Sequence, residues 1–140
     1  MMKVFPQPEV IEIIKDKGLQ KMFYKERDIP TAGFQLFNDG KEIKEALKSK
    51  QITFPFVQKS RKDGYDGKGV QIIRNKEDLN NAFEAPSLVE RLVDFEKEIA
   101  VIVARNENGE CKTFPIVEMD FHPTANLVEF LVSPADVSEY

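Results

Sequence analysis

The chain has 140 residues, a formal net charge of −4, one cysteine, no tryptophan and 11 phenylalanines. That length suits one domain and is enough to bury a core, while the acidic balance argues against a polyanion-wrapping surface, so no nucleic-acid partner is expected. The single thiol, Cys111, excludes a disulfide or a cysteine-based zinc site within the chain and fits a reducing compartment. No apolar run approaches the ~18–20 residues that cross a bilayer, and the N-terminus has no signal-peptide pattern. The expected location is therefore the cytoplasm, with no membrane partner.

In chain order, an apolar, strand-like start at Met1–Phe5 is closed by Pro6 and Pro8. Val10, Ile13 and Ile14 recur at helical spacing and predict a helix from about Pro8 to Lys15. Asp16 is a cap for a second helix whose buried face is expected to carry Leu19, Met22 and Phe23. Ile29-Pro30-Thr31 ends it, because proline pushes the residue before it out of helical geometry. Lys15, Lys17, Lys21 and Lys25 read as a solvated face; one of them pointing inward is compatible with the spacing, which does not say which.

Phe34–Phe37 reads as a strand. Asp39 followed by Glu42 makes a capping pattern for a helix with Ile43, Ala46 and Leu47 on its apolar stripe. Phe54–Gln58 is the next strand and Val70–Ile73 another. Asn75 caps a helix expected to reach Phe83 with Leu79, Ala82 and Phe83 inward, and Ser87–Glu90 is a further strand. Two strand–helix–strand halves thus flank one loop, making a compact α+β subdomain of about 60 residues. Beyond it, Glu98–Arg105 is apolar on both alternating faces and reads as a central strand buried on both sides. Asn106-Glu107-Asn108-Gly109 is a hairpin turn, Thr113–Glu118 pairs back, and Leu127–Val132 offers a third strand before Pro134.

The loop between the two middle strands is Gly64-Tyr65-Asp66-Gly67-Lys68-Gly69. Three glycines remove side chains where the backbone turns tightly or approaches a ligand. Four cations (Lys59, Arg61, Lys62, Lys68) against two acids (Asp63, Asp66) make a positive island on an acidic protein. Backbone N–H groups and lysines in such a turn form an anion cradle, most often for phosphate; the same composition also suits an ordinary basic hairpin on a solvated surface. Cys111, in Glu110-Cys111-Lys112, reads as a structural thiol.

At this point the pattern resembles the ATP-grasp enzymes and, within them, the 5-(carboxyamino)imidazole ribonucleotide synthetases of purine biosynthesis. Five features carry the resemblance in order. Asp16-Lys17 followed by Gln20-Lys21 is similar to the family's helix start, and Phe54-Pro55 leading to Lys59 to the strand ending in an ATP-binding lysine. Gly64-Tyr65-Asp66-Gly67-Lys68-Gly69 is similar to its signature loop, in which the Tyr-Asp insert is the discriminating piece. Glu90-x-x-Val93 with Phe95-x-x-Glu98 is similar to the nucleotide hinge, and Ser133-Pro134-Ala135 to a short later motif.

The resemblance implies an α+β, ATP-grasp fold and an ATP-dependent ligase. Its reaction would carboxylate 5-aminoimidazole ribonucleotide with ATP and bicarbonate, via carboxyphosphate. Residues 1–33 would be a helical connector, 34–93 the lid subdomain, and 94–140 the start of an incomplete second subdomain. Lys17 and Lys59 would bind ATP phosphates, and the backbone of Gly64, Tyr65, Asp66, Gly67, Lys68, Gly69 and Val70 would close over them. Glu90 and the backbone of Arg91, Leu92 and Val93 would hold adenine, and Glu98 the ribose hydroxyls. Tyr65, Asp66 and Lys68 would contact the ribonucleotide or the bicarbonate-derived intermediate. Physical chemistry agrees in part: a lysine offers a phosphate three donors and a positive charge, and a carboxylate entering a buried strand needs hydrogen bonds such as sugar hydroxyls supply. Read as residues alone, Glu90 and Glu98 also suit surface carboxylates paired with Arg91 and Lys97, and Lys17 a solvated lysine.

The family's magnesium ligands lie in motifs that the resemblance puts outside these residues, so no metal site is expected here. The chain is accordingly expected to be an internal stretch of a longer enzyme, inactive alone and a homodimer when whole. Many members carry Glu-Asn-x-His where this chain has Glu118-Met119-Asp120-Phe121, and His122 is given no role. The competing readings are another ATP-grasp carboxylate–amine ligase and a non-catalytic nucleotide-binding module.

Overall fold

The computed structural model describes residues 4–62, 64, 68–124 and 127–137. It divides into two units, Met1–Val93 and Asp94–Tyr140, each of them built from antiparallel strands, with the helices among the described residues confined to the first.

The first unit runs α1 (Pro8–Lys15), α2 (Lys17–Glu26), β1 (Phe34–Phe37), α3 (Gly40–Lys48), β2 (Phe56–Ser60), β3 (Val70–Ile73), a 3-10 turn (Glu77–Asn81) and β4 (Ser87–Arg91). The strands form one antiparallel sheet in the order β1-β4-β2-β3. Helix starts follow the capping chemistry in the sequence. Asp16 accepts the amides of Gly18 (2.8 Å) and Leu19 (3.3 Å), and Asp39 those of Lys41 (2.8 Å) and Glu42 (3.0 Å). Glu42 reaches back to the Asn38 amide at 2.7 Å, a reciprocal arrangement that satisfies donors the helix leaves unpaired.

Register assigns the two faces of this sheet. Phe34 and Val57 flank Glu90, while Leu36 and Lys59 flank Leu88. Alternation then puts Phe37, Phe56, Ile73 and Val89 on the opposite face, where they pack with Ile43, Ala46 and Ile52 into the core. Each of these side chains other than Ala46 contributes about 1.5–3 kcal/mol on burial. Gln58, fully buried on that core face, accepts from the Phe83 amide (2.9 Å) and donates to the Phe83 carbonyl (2.9 Å) and Ser87 Oγ (2.9 Å).

Three expectations for this unit change. The helix expected from Asn75 to Phe83 shrinks to a 3-10 turn over Glu77–Asn81. Side chains claim backbone groups a helix reaching Phe83 would use: Gln71 takes the Asn81 carbonyl (2.8 Å), and Gln58 both polar groups of Phe83. In α2, Leu19 and Met22 are exposed, not buried; Gly18 is the buried position. Of the apolar start, Met1–Lys3 lie outside the described residues, and Val4 and Phe5 form no strand.

The second unit comprises β5 (Glu98–Ala100), β6 (Val103–Arg105), β7 (Cys111–Thr113), β8 (Val117–Phe121) and β9 (Val128–Val132). Strands β5-β8-β9 form one sheet and β6-β7 a hairpin. Gly109 takes a positive φ of 84° in the turn, and the Asn106 side chain accepts the amides of Asn108 and Glu110 at 3.0 Å each. The single strand expected over Glu98–Arg105 is instead two, as is its partner expected over Thr113–Glu118. Ala100 faces Val117 and Val103 faces Thr113, so Val101-Ile102 must match Phe114-Pro115-Ile116. The extra residue and the missing proline N–H interrupt the ladder there. Nor is this stretch buried on both faces: Val101, Ile102 and Val103 are exposed.

Candidate nucleotide site

The first unit gathers cations at one place through helix and strand periodicity together. Lys17, Gln20, Lys21 and Tyr24 stand at i, i+3, i+4 and i+7 of α2, one face of the helix. With Lys59, Val70 and Leu88 from the sheet they line a cleft of about 270 Å³. The polar stripe of α2, not its apolar one, faces the sheet.

What makes that tolerable is Glu90. It is 4% exposed, at a depth where an unpaired carboxylate is costly. One oxygen meets Lys59 Nζ at 2.5 Å and the other pairs with Lys21. Burial pushes the carboxyl up, but hydrogen bonds from Lys21 and Lys59 outweigh it and hold the group below its ordinary value. Glu90 therefore pairs with neither Arg91 nor solvent, and the surface-carboxylate reading is overturned by its burial. Lys21 Nζ also bonds Thr31 Oγ1 and lies 5.9 Å from the Phe34 ring centroid. Lys21 is thus the inward-pointing lysine whose identity the spacing left open. Its signal in the sequence was the Gln20-Lys21 pair, to which no role had been attached.

Lys17 Nζ lies beside the glycine-rich loop, 3.1 Å from where a Cβ on Gly64 would stand. Gly64 and Gly69 meet backbone to backbone, a Cβ on Gly69 colliding with the Gly64 Cα; this close approach requires glycine at 69 and leaves little room for a side chain at 64. Ser60 N–H donates to the Gly69 carbonyl at 2.8 Å, holding the neck against β2. Lys68 is exposed. Tyr65, Asp66 and Gly67 lie outside the described residues.

Arg91 is exposed, with its amide donating to the Gly33 carbonyl at 3.0 Å; Leu92 is half-buried and Val93 exposed. A wider cleft, about 600 Å³, opens beside Glu90 and Arg91 with Phe34, Ile52 and Pro55 among its walls. In the second unit, Glu98 is the half-buried first residue of β5, opposite Met119. Lys97 pairs with Glu118 at 3.0 Å, which raises its ammonium above its ordinary value. His122 Nδ1 accepts from the Thr124 amide at 3.3 Å.

Arg61 and Asp16 are a further pair to which the sequence attached no joint role. Arg61 Nε and Nη2 reach Asp16 Oδ1 (2.9 Å) and Oδ2 (2.7 Å) in a bidentate contact. Burial pushes the Asp16 carboxyl up, yet Arg61 and the Leu19 and Gly18 amides together hold it below the usual range. The same contact raises Arg61 further.

The ATP-grasp domain profile matches residues 22–139. The N5-carboxyaminoimidazole ribonucleotide synthase of Synechococcus elongatus is 33% identical over 136 residues, which is 94% of this chain and 33% of that protein. The crystal structure of the N5-carboxyaminoimidazole ribonucleotide synthetase from Thermotoga maritima is 39% identical, with a TM-score of 0.78 over 98% of this chain and 33% of its own. That of the Aspergillus clavatus carboxyaminoimidazole ribonucleotide synthase complexed with ATP gives a TM-score of 0.88 at 26% identity, over 99% of this chain and 37% of its own. The chain thus spans about a third of the length of these relatives. It is a member of the ATP-grasp family.

Proposed function

We propose that the chain forms the ATP-binding part of a ligase that carboxylates 5-aminoimidazole ribonucleotide using ATP and bicarbonate. The observation that carries this reading is the cleft lined by Lys17, Lys21 and Lys59, the last two of which share the one buried carboxylate of Glu90. Three cations against one anion leave a positive field where a phosphate chain would bind. The relatives' names support the reaction, and the Aspergillus clavatus structure, complexed with ATP, supports the nucleotide.

In this reading Lys17 and Lys59 take the phosphates, and the backbone of Gly64–Val70 adds N–H donors. Glu90 and the Arg91–Val93 backbone hold adenine beside the wider cleft, and Glu98 the ribose hydroxyls. Tyr65, Asp66 and Lys68 face the ribonucleotide or the carboxylated intermediate. Bicarbonate is a poor electrophile; phosphorylation by ATP would give carboxyphosphate, whose carboxyl group passes to the ribonucleotide amine. The lysines' part is electrostatic, to stabilise charge on the transferring phosphoryl group. Magnesium belongs to the same proposal, held by residues outside these and supplying further stabilisation of phosphate charge; among the described residues no group of three or more His, Cys, Asp or Glu side chains is placed to hold a metal ion. A homodimer of the whole enzyme and a cytoplasmic location belong to the same proposal. Among the described residues no helix is long and apolar enough to cross a membrane.

Two measurements test the reading. The 140-residue chain should bind a fluorescent ATP analogue displaceable by ATP, and show no ADP release alone. The longer protein containing it should release ADP only with bicarbonate and 5-aminoimidazole ribonucleotide both present. ADP release supported by a different amine would overturn the substrate assignment.

A further inference from the structure

We propose that Asp16 and Arg61 form a clasp that sets the spacing of Lys17 and Lys59, making both of them positioning residues for the nucleotide phosphates. The inference rests on the nucleotide-binding reading above and adds to it two residues that touch no reacting atom.

The chain's own connectivity makes the case. Asp16 directly precedes Lys17, and Arg61 follows Lys59 by two residues, so the ion pair joins a close neighbour of each cation. Backbone contacts reinforce the join. The Lys17 amide donates to the Arg61 carbonyl at 3.0 Å, and the Arg61 amide to the Pro86 carbonyl at 3.1 Å. The start of α2 is therefore tied through Arg61 to the end of β2 and to the approach to β4. Of the expected apolar face of α2, Leu19 and Met22 are exposed and Phe23 is only half-buried, so apolar packing contributes little to this join.

Two features show that the site is shaped for the guanidinium. Asp16 is 3% exposed, although a helix cap works equally well at the surface. The Arg61 guanidinium lies against Gly18: a Cβ there would stand 2.6 Å from Nε and 3.0 Å from Cζ. Capping alone needs neither Arg61 nor a glycine at the second helical position. A planar fork meeting both carboxylate oxygens fixes an angle as well as a distance, which a lysine cannot reproduce.

The test uses Arg61→Lys, which keeps the charge and loses the fork, and Gly18→Ala, which removes no charge but displaces the guanidinium. Affinities for ATP and for AMP are measured by displacement of a fluorescent ATP analogue, with Glu45→Ala as control because that side chain is exposed on α3, away from both clefts. Misplacing one charge-assisted phosphate contact should weaken ATP on the order of 10- to 100-fold, while AMP, with its single phosphate, changes far less. The ATP-to-AMP affinity ratio should therefore collapse in both variants and hold in the control. Equal losses for ATP and AMP would show a merely structural role and overturn the proposal, as would an unchanged ATP affinity. Should Arg61→Lys fail to fold, as judged by thermal unfolding, Gly18→Ala decides alone. Failure of the unmutated chain to bind ATP overturns the nucleotide reading itself, and the clasp's role with it; that outcome is read before any variant is made.

Discussion

Glu90 and Lys59 meet at 2.5 Å across the sheet face that α2 covers, the lysine on β2 and the carboxylate two residues beyond its cross-strand partner Leu88. Diagonal neighbours on one sheet face are within reach of long side chains, so strand register alone brings this pair together. Lys21 arrives from α2 and takes the other oxygen.

The two lysines should separate in their effects. The Lys21 side chain is 14% exposed and that of Lys59 32%. Lys21→Met leaves a buried carboxylate half-compensated and should cost about 2–4 kcal/mol in urea unfolding. Lys59→Met frees the other oxygen of the same buried carboxylate, but at a wetter position, so it should cost less, about 1–2 kcal/mol, yet abolish displaceable binding of an ATP analogue. Equal stability losses would contradict the burial order.

Acid should loosen this unit through two carboxylates. Asp16 and Glu90 are both held below their ordinary values of 3.8 and 4.5. A depressed folded-state pKa contributes stability above the unfolded value and loses it as pH falls through the folded one. Stability should thus be level from neutrality to about pH 5 and decline steadily below about pH 4. Glu90→Gln should lower the plateau and flatten the decline, measured as urea midpoints across pH 2–7 with acid-stable buffers.

Gln58 should be among the costliest polar positions. It is fully buried, and its amide satisfies both backbone groups of Phe83 together with Ser87 Oγ and Gln71. Gln58→Ala strands those partners and opens a cavity, for an expected loss of about 3 kcal/mol. Hydrogen exchange at the Phe83 amide should accelerate with it, whereas an unchanged rate would contradict the assigned bond.

The glycines should split by what lies over them. Gly69→Ala sets a Cβ against the Gly64 backbone, which cannot give way as a side-chain tip does, and should cost about 1–3 kcal/mol. Gly33→Ala meets nothing within 4 Å and should fall within about 0.5 kcal/mol of the parent. Thermal unfolding of both variants checks the contrast.

Local chemistry was legible in the sequence. A capping carboxylate two or three residues from the amides it accepts, a proline after a helix and an Asn-Gly turn act over a few residues. The starts of α2 and α3, the 106–109 turn and the short strands from Phe34 to Arg91 therefore followed from the residues alone, as did the α+β class. The resemblance carried by their order singled out the candidate lysines and the glycine loop, whose roles are proposals. Only the tertiary structure decided which face of α2 turns inward. Hydrophobic periodicity favoured Leu19, Met22 and Phe23, but Lys17, Gln20, Lys21 and Tyr24 line the cleft, because Glu90 and Arg61, 69 and 45 residues beyond Lys21 and Asp16, supply the opposite charges. It also broke the Glu98–Arg105 run in two, since the proline that interrupts the ladder sits on the partner strand. Charge compensation and ladder registry are properties of pairs distant in sequence, and periodicity along one segment carries no term for the partner.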